Sequence, residues 1–205
     1  MSFYGTKVLP RLQDKAMGRE SIRDVRARVC AGLAGTVLEI GFGTGLNVRH
    51  YPPDVTDVLA VEPSPVCMRL AGPRIASSPT PVELAGLTGE HLDLPTGKID
   101  VALSTWTLCT IPDLTAALGE VRRVLKPGGT FHFVEHGCAP DIKTARWQRR
   151  LDPLNQRLAG GCHLTRHISE SIKGAGFALE QLDTYYAEGE PKPWGYTYEG
   201  RAVKI

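Results

Sequence analysis

What the sequence lacks narrows its possibilities first. It has no run of the roughly eighteen apolar residues that a membrane-crossing helix needs. No apolar leader core is visible either, since Met1 to Pro10 is soon followed by Arg11, Asp14 and Lys15. An excess of either charge is also missing: 24 Lys and Arg stand against 22 Asp and Glu, and a net charge of +2 is too weak a field to draw the chain to nucleic acid or an anionic membrane. No Cys-x-x-Cys pair occurs, and Cys30, Cys67, Cys109, Cys138 and Cys162 form an odd, widely spaced set. That spacing suggests neither a zinc site nor a redox couple, so free and mostly buried thiols are expected. A cytoplasmic protein fits these absences.

What is present is enough for one well-buried core, 42% hydrophobic residues over 205 positions, and no internal repeat divides it. Ile22, Val25 and Val29 recur at helical spacing within a helix expected over 9–33. A short apolar strand over 36–40 then meets glycines, and a helix over 46–51 is closed by Pro52-Pro53. The alternation continues with strand 58–61, helix 64–71, strands 82–87 and 99–104, helix 113–125 and strand 130–135. Strands alternating with helices argue for parallel strands joined by right-handed crossovers. Lys126-Pro-Gly-Gly stops one helix, and Pro153 is expected to interrupt another over 141–158. A helix over 168–173 and strands over 177–185 and 196–204 complete the chain.

The most informative residues are Leu38-Glu-Ile-Gly-Phe-Gly-Thr-Gly, between the first strand and the helix expected after it. Gly41, Gly43 and Gly45 permit positive φ and let a ligand lie against bare backbone. A nicotinamide fingerprint wants G-x-G-x-x-G, but Leu46 stands in the place of its third glycine, which weakens the reading as a dinucleotide-dependent oxidoreductase. At the end of the next strand, Val61-Glu62-Pro63 supplies a carboxylate about twenty residues downstream, the position that suits a ribose diol.

Taken together, Glu39-Ile-Gly-Phe-Gly-Thr-Gly, Glu62, Asp100-Val-Ala-Leu-Ser-Thr and Arg123-Val-Leu-Lys-Pro-Gly-Gly resemble the class I S-adenosylmethionine-dependent methyltransferases over most of the chain. The ubiquinone and menaquinone C-methyltransferase type and the alkyl-thiol S-methyltransferases of animals are the nearest subgroups. Ser104-Thr-Trp-Thr-Leu-Cys-Thr-Ile and Leu151-Asp-Pro-Leu with Gly161-Cys-His-Leu-Thr-Arg resemble the latter. The resemblance implies an α/β Rossmann-like domain over 1–205, with a mostly parallel seven-stranded sheet in the order 3-2-1-4-5-7-6 and helices on both faces. Within it, 1–34 would be a helical cap, 35–137 the cofactor core, and 138–205 the substrate-side helices and last two strands.

The resemblance also implies a cofactor site for S-adenosylmethionine. Glu39 would lie near the methionine amino end, Gly41, Gly43 and Gly45 under the cofactor with Phe42 and Asn47 on the same turn, and Glu62 on the ribose. Pro63 and Met68 would flank the adenine. Thr88-Gly89-Glu90 matches the family's Asp-Ala-Glu, and because Thr88 replaces the usual Asp, Glu90 is the alternative adenine contact. Ser104 and Thr105 would face the methionine moiety.

On the acceptor side the candidates are Trp106 and Thr107, with Tyr4 and Trp147 closing the pocket, and His136 or His163 as a base or positioning group. His132 and His136 share one strand face, but no third ligand is spaced to complete a metal site, so no metal is expected. Cys109 has no base paired with it in the sequence and reads as buried packing. The expected activity is methyl transfer to a small thiol, phenol or quinone, by a monomer or homodimer; a non-catalytic S-adenosylmethionine-binding protein is the alternative. Nucleic-acid amino methylation is disfavoured, because Ser104-Thr-Trp-Thr stands where an Asp/Asn-Pro-Pro-aromatic element would be needed.

Overall fold

Residues 8–205 are described in a computed structural model, so Tyr4 lies outside the described residues. Strands β1 (Gly35–Ile40), β2 (Val55–Val61), β3 (Val82–Gly86), β4 (Ile99–Thr105), β5 (Leu125–His136), β6 (Phe177–Tyr186) and β7 (Tyr196–Lys204) form one sheet in the order β3-β2-β1-β4-β5-β7-β6. The first five pair in parallel, while β7 runs antiparallel to both β5 and β6. This is the order the resemblance implied.

Strand side chains alternate between two faces, and each face has its own cover. Leu38, Ile40, Ala102, Phe131 and Phe133 pack on one side beneath α4 (Leu114–Val124) and α6 (Ile168–Gly174), which contribute Leu118, Val121, Ile168 and Ile172. Val37, Val101, Leu103 and Val134 point to the other side, where Val29 and Cys30 of α2 (Glu20–Cys30) cover them. His132 also faces α2, its Nδ1 lying 3.0 Å from the Val29 carbonyl, which makes it a pinned core histidine. Among the described residues no helix is long and apolar enough to cross a membrane.

Three local expectations change. The helix expected over 9–33 breaks at Gly18 into α1 (Leu9–Met17) and α2; a Cβ at Gly18 would come within 2.9 Å of the Asp14 carbonyl, and Arg19 turns extended at ψ 153°. The helix expected over 46–51 is only a 3-10 turn, Val48–His50, caught between left-handed Gly45 and Pro52-Pro53. Helix α5 (Ile142–Leu158) instead runs straight through Pro153. Helix α3 (Pro65–Ala76) begins on a Ser64 cap whose hydroxyl accepts the Cys67 N–H. A short α7 (Lys192–Gly195) leads into β7.

α5 is polarised against the usual sense. Its buried side carries Thr144, Gln148, Asp152 and Asn155, whereas Trp147, Leu154 and Leu158 are exposed. The buried polar groups hold neighbouring loops: Gln148 donates to the carbonyls of Gly137 and Pro193, Asp152 accepts the Leu164 N–H, and Asn155 donates to the Cys162 carbonyl.

Gly41 is the tightest point of the carboxyl edge. Its φ is +74°, and a Cβ there would lie 2.0 Å from Thr107 Oγ1. Gly97 has a similar φ of +67° but nothing within 4 Å. Thermal denaturation should separate the two: Gly97→Ala carries only the left-handed cost of about 1–2 kcal/mol, roughly 2–8 °C for a chain of this size. Gly41→Ala should fall well below it, and equal midpoints would show that the Gly41–Thr107 contact is dispensable.

Candidate active site

The site grows from the bend at the end of β1. Gly41, Gly43 and Gly45 all have positive φ, but each lacks a side chain for a different reason. Gly41 makes room for Thr107, and Gly45 makes room for Ala71 and the Phe42 ring, 3.2 and 3.3 Å from a Cβ. A Cβ on Gly43 would meet nothing nearer than the Gly41 carbonyl at 3.8 Å, so the space over the middle of the turn is open. Phe42 itself is 3% exposed and packs below the turn against Val48 and Ala71. Its side chain is therefore a core group, so a cofactor contact at Phe42 would fall to its backbone.

Glu62, at the carboxyl end of β2, ties that turn down. It is buried, and its two oxygens accept the Gly43 N–H at 2.7 Å and the Ser64 N–H at 2.8 Å. Burial pushes its carboxyl upward, and the two backbone bonds oppose the shift. The Cys67 thiol also bonds to this carboxylate, which leaves part of its acceptor capacity free. An acceptor-only group beside a bare turn with open space above Gly43 fits the ribose diol of S-adenosylmethionine.

Glu39 sits deeper, at 1% exposure, in a closed network. Tyr51 Oη donates to one oxygen and Asn47 Nδ2 to the other at 2.8 Å. Asn47 also donates to Thr105 Oγ1, and Arg26 Nη1 donates to both Asn47 Oδ1 and Thr105 Oγ1. The Arg26 guanidinium lies 4.9 Å from the Trp106 ring centroid, and its Nε is buried without a hydrogen-bond partner. Glu39, Asn47 and Thr105 are thus already occupied by protein groups. Arg26 and Tyr51 were missed from the sequence. The signal for Arg26 was its place four residues after Ile22 and three before Val29, on the apolar stripe of the helix.

A second buried carboxylate, Glu135, organises the end of β4. It accepts from Ser104 Oγ at 2.7 Å, from the Thr107 N–H at 3.1 Å and from the Cys109 N–H at 3.4 Å, and burial lifts its carboxyl to about 7. Between these residues Trp106 adopts φ +52°, a conformation rare for a bulky side chain, with its N–H donated to the Val134 carbonyl at 2.7 Å. Such strained backbone collects at functional sites.

The adenine-side candidates gather around β2 and the loop after β3. Met68 packs against the Phe42 cluster, Pro63 is exposed, and exposed Thr88 and half-buried Glu90 flank Gly89. A Cβ on Gly89 would lie 3.2 Å from Ile40, so this loop closes directly on the end of β1.

Next to Trp106 lie three groups that the spacing did not connect. Cys109 Sγ and Cys162 Sγ are 3.5 Å apart, and with a His136 nitrogen they fall within 4.8 Å of one another. The contact to Cys162, then burial, pushes the Cys109 thiol up, whereas the contacts to Cys109 and His136 pull the Cys162 thiol down. His136 meets the edge of Trp106 at 6.4 Å. His163 contributes its backbone N–H to the Cys109 carbonyl at 2.8 Å, while its Nδ1 lies 3.5 Å from Asp152. Trp147 does not close this pocket: it is 49% exposed on the outer side of α5, with the Arg150 guanidinium 5.7 Å from its ring centroid. A cavity of about 500 Å³ on the α1 side of the turn is lined by Lys15, Arg23, Arg26 and Arg74 among others; it reaches Gly45 at the end of the turn but includes neither Glu62 nor Gly43.

The buried Glu39 gives a pH signature. Burial lifts its carboxyl to about 7, opposed by the bonds from Tyr51 and Asn47. The folded state therefore holds a proton that the unfolded chain, titrating near ~4.3, releases. This contribution is complete below that lower value and is lost as pH rises through about 7. The melting temperature should fall between about pH 4.3 and 7, and Glu39→Gln should reduce the fall, leaving the share of Glu135, whose carboxyl is lifted to about 7 as well; parallel pH profiles would remove Glu39 as a source.

Comparison with known proteins agrees with this geometry. A family described as a methyltransferase domain matches residues 38–133. Thiol S-methyltransferase TMT1B of Rattus norvegicus is 35% identical over 173 residues, 82% of this chain and 70% of the relative. Thiol S-methyltransferase TMT1A of Homo sapiens is 34% identical over 171 residues, 80% and 68% of the two chains. A solved SAM-dependent methyltransferase from Thermotoga maritima superposes with a TM-score of 0.70 at 21% identity, covering 98% of each chain, which shows the fold. With its sheet order, its bare turn and these relatives, the chain belongs to the class I S-adenosylmethionine-dependent methyltransferases, and S-adenosylmethionine is its cofactor.

Proposed function

We propose that this methyltransferase acts on the sulfur of a small thiol. The observation that carries the reading is the similarity to thiol S-methyltransferases across about four fifths of the chain, in the range of 34–35% identity. The acceptor side is consistent with it, since Trp106, Cys109, Cys162 and His136 surround it with aromatic, sulfur and imidazole groups. The five free cysteines fit a reducing, cytoplasmic setting.

When bound, S-adenosylmethionine supplies a sulfonium methyl that is transferred by in-line displacement. In this reading Glu62 takes a ribose hydroxyl on the acceptor capacity left over from Gly43, Ser64 and Cys67. Pro63 and Met68 flank the adenine, with Thr88 or Glu90 at its edge. The closed Glu39–Asn47–Thr105–Arg26 network fixes the floor at the methionine end, and Trp106 and Thr107 shape the wall that the acceptor meets. Alignment of this kind accounts for roughly 7–11 kcal/mol of barrier lowering. A thiol with pKa near ~8.5 is already partly ionised at neutral pH, so neither His136 nor His163 has to act as a base on that fraction.

Two measurements test the reading. Labelled S-adenosylmethionine offered with a panel of alkyl thiols, phenols and quinols should label thioethers; label confined to oxygen or ring carbon would overturn the thiol acceptor. Glu62→Ala should weaken S-adenosylmethionine binding in calorimetry by at least about tenfold, the loss of about 1.5–3 kcal/mol for one charged hydrogen bond. Unaltered affinity in a folded variant would refute the ribose role.

A further inference from the structure

Cys109, His136 and Cys162 come from three separate elements: the loop after β4, the end of β5 and the loop after α5. Each presents one atom able to ligate a metal, and the three atoms lie within 4.8 Å of one another. We propose that these residues bind one zinc ion whose fourth position is open to the acceptor thiol. The proposal rests on the thiol reading for its fourth ligand only; the three protein ligands stand independently of the acceptor.

The geometry favours a metal over a disulfide. The Cys162 thiol donates to Cys109 Sγ at 3.5 Å, well beyond the ~2.05 Å of a disulfide. Two thiolates at a tetrahedral angle around zinc, with bonds of ~2.3 Å, stand about 3.8 Å apart, within a few tenths of the spacing found. Two thiolates also neutralise a divalent ion, so a buried site of this composition carries no net charge. Three protein ligands with a vacant fourth position is the pattern of catalytic zinc, whereas structural zinc is closed by four.

The cluster is held from outside as metal ligands usually are. The His163 N–H fixes the Cys109 carbonyl at 2.8 Å, and Asn155 of α5 fixes the Cys162 carbonyl at 2.7 Å. Glu135 accepts the Cys109 N–H, and Arg166 donates to the carbonyls of Leu108 and Ile111 on either side of Cys109. This explains why α5 buries a polar stripe: its inward groups set the loop that carries Cys162. Cys109 and Cys162 are 1% and 8% exposed, while His136 is half-buried and adjoins Trp106. His136, the least buried of the three, is thus the one nearest the proposed acceptor wall. The expectation of no metal came from pairing His136 with His132, but His132 is occupied by Val29, and the other two ligands lie 26 or more positions away in sequence.

The chemistry balances without any further reagent. A thiol entering the fourth position gives its proton to solvent, because a coordinating thiol is deprotonated outright. Its sulfur lone pair forms the new S–C bond, the sulfonium C–S bond breaks with its electron pair staying on the departing sulfur, and a neutral thioether results. A thioether is a weaker ligand than a thiolate and leaves, and the zinc is unchanged.

The test is metal binding by the full chain, read without acceptor. Incubated with zinc and desalted, the protein should retain one equivalent by elemental analysis. With cobalt(II) it should show a sulfur-to-cobalt charge-transfer band and intense tetrahedral ligand-field bands. Cys109→Ser and Cys162→Ser should each reduce retained metal by at least about tenfold, while Cys138→Ser retains it; calorimetry with S-adenosylmethionine confirms that each variant is folded. An added alkyl thiol should shift the charge-transfer band. Failure of the wild type to retain metal, equal retention in the Cys109/Cys162 double variant, or a mass lower by two hydrogens from a disulfide would overturn the proposal. Thiol methylation by a metal-free enzyme would overturn the zinc and leave the thiol reading intact. Zinc retention together with methylation of phenols alone would support the three-residue site and overturn only the thiol as its fourth ligand.

Discussion

The loops leaving β1 and β4 approach each other so closely at Gly41 and Thr107 that no side chain fits between them, and the carboxyl edge of the sheet is arranged around that contact. Thr107 is fixed from below by Glu135, which also holds Ser104 and Cys109. Gly41 in turn leads to Gly43, whose N–H is held by Glu62 from the neighbouring strand. The glycine turn and the loop after β4 are therefore parts of one packed and hydrogen-bonded assembly spanning β2, β1, β4 and β5.

The polar core of this assembly is unusual in its protonation. Glu39 and Glu135 are both essentially excluded from water and both titrate near 7. Their partners differ, however: hydroxyl, amide and guanidinium groups around Glu39, and backbone N–H groups with one serine around Glu135. Satisfied in this way, the two carboxyls specify loop geometry, while the exposed acids and bases of the surface nearly cancel. That suits a site meant to receive a cationic cofactor without attracting ions at large.

Much of this was legible in the sequence, for identifiable reasons. Strand and helix alternation is a local pattern, so the order of elements followed from periodicity, and the glycine spacing with Glu62 marked the cofactor turn. Resemblance, and not periodicity, supplied the strand order. The errors arose where local rules yield to tertiary ones. Pro153 reads as a helix breaker, yet α5 continues through it because Asp152, Gln148 and Asn155 anchor both sides of that turn. Trp147 reads as a pocket residue but lies on the outer side of α5. Cys109 and Cys162, 53 positions apart, carry no spacing that could announce their contact. Arg26 was hidden by its helix, where arginine is ordinarily a surface residue.

The inverted polarity of α5 has a calorimetric consequence. Releasing this helix would hydrate Thr144, Gln148, Asp152 and Asn155 together with Leu151 and the small Cys109–Cys162–Leu164 cluster it packs against, while Trp147, Leu154 and Leu158 already face water. Polar hydration lowers heat capacity and apolar hydration raises it. The polar share offsets part of the positive increment that dominates global unfolding, so the free energy of opening α5 curves less with temperature than that of the protein as a whole.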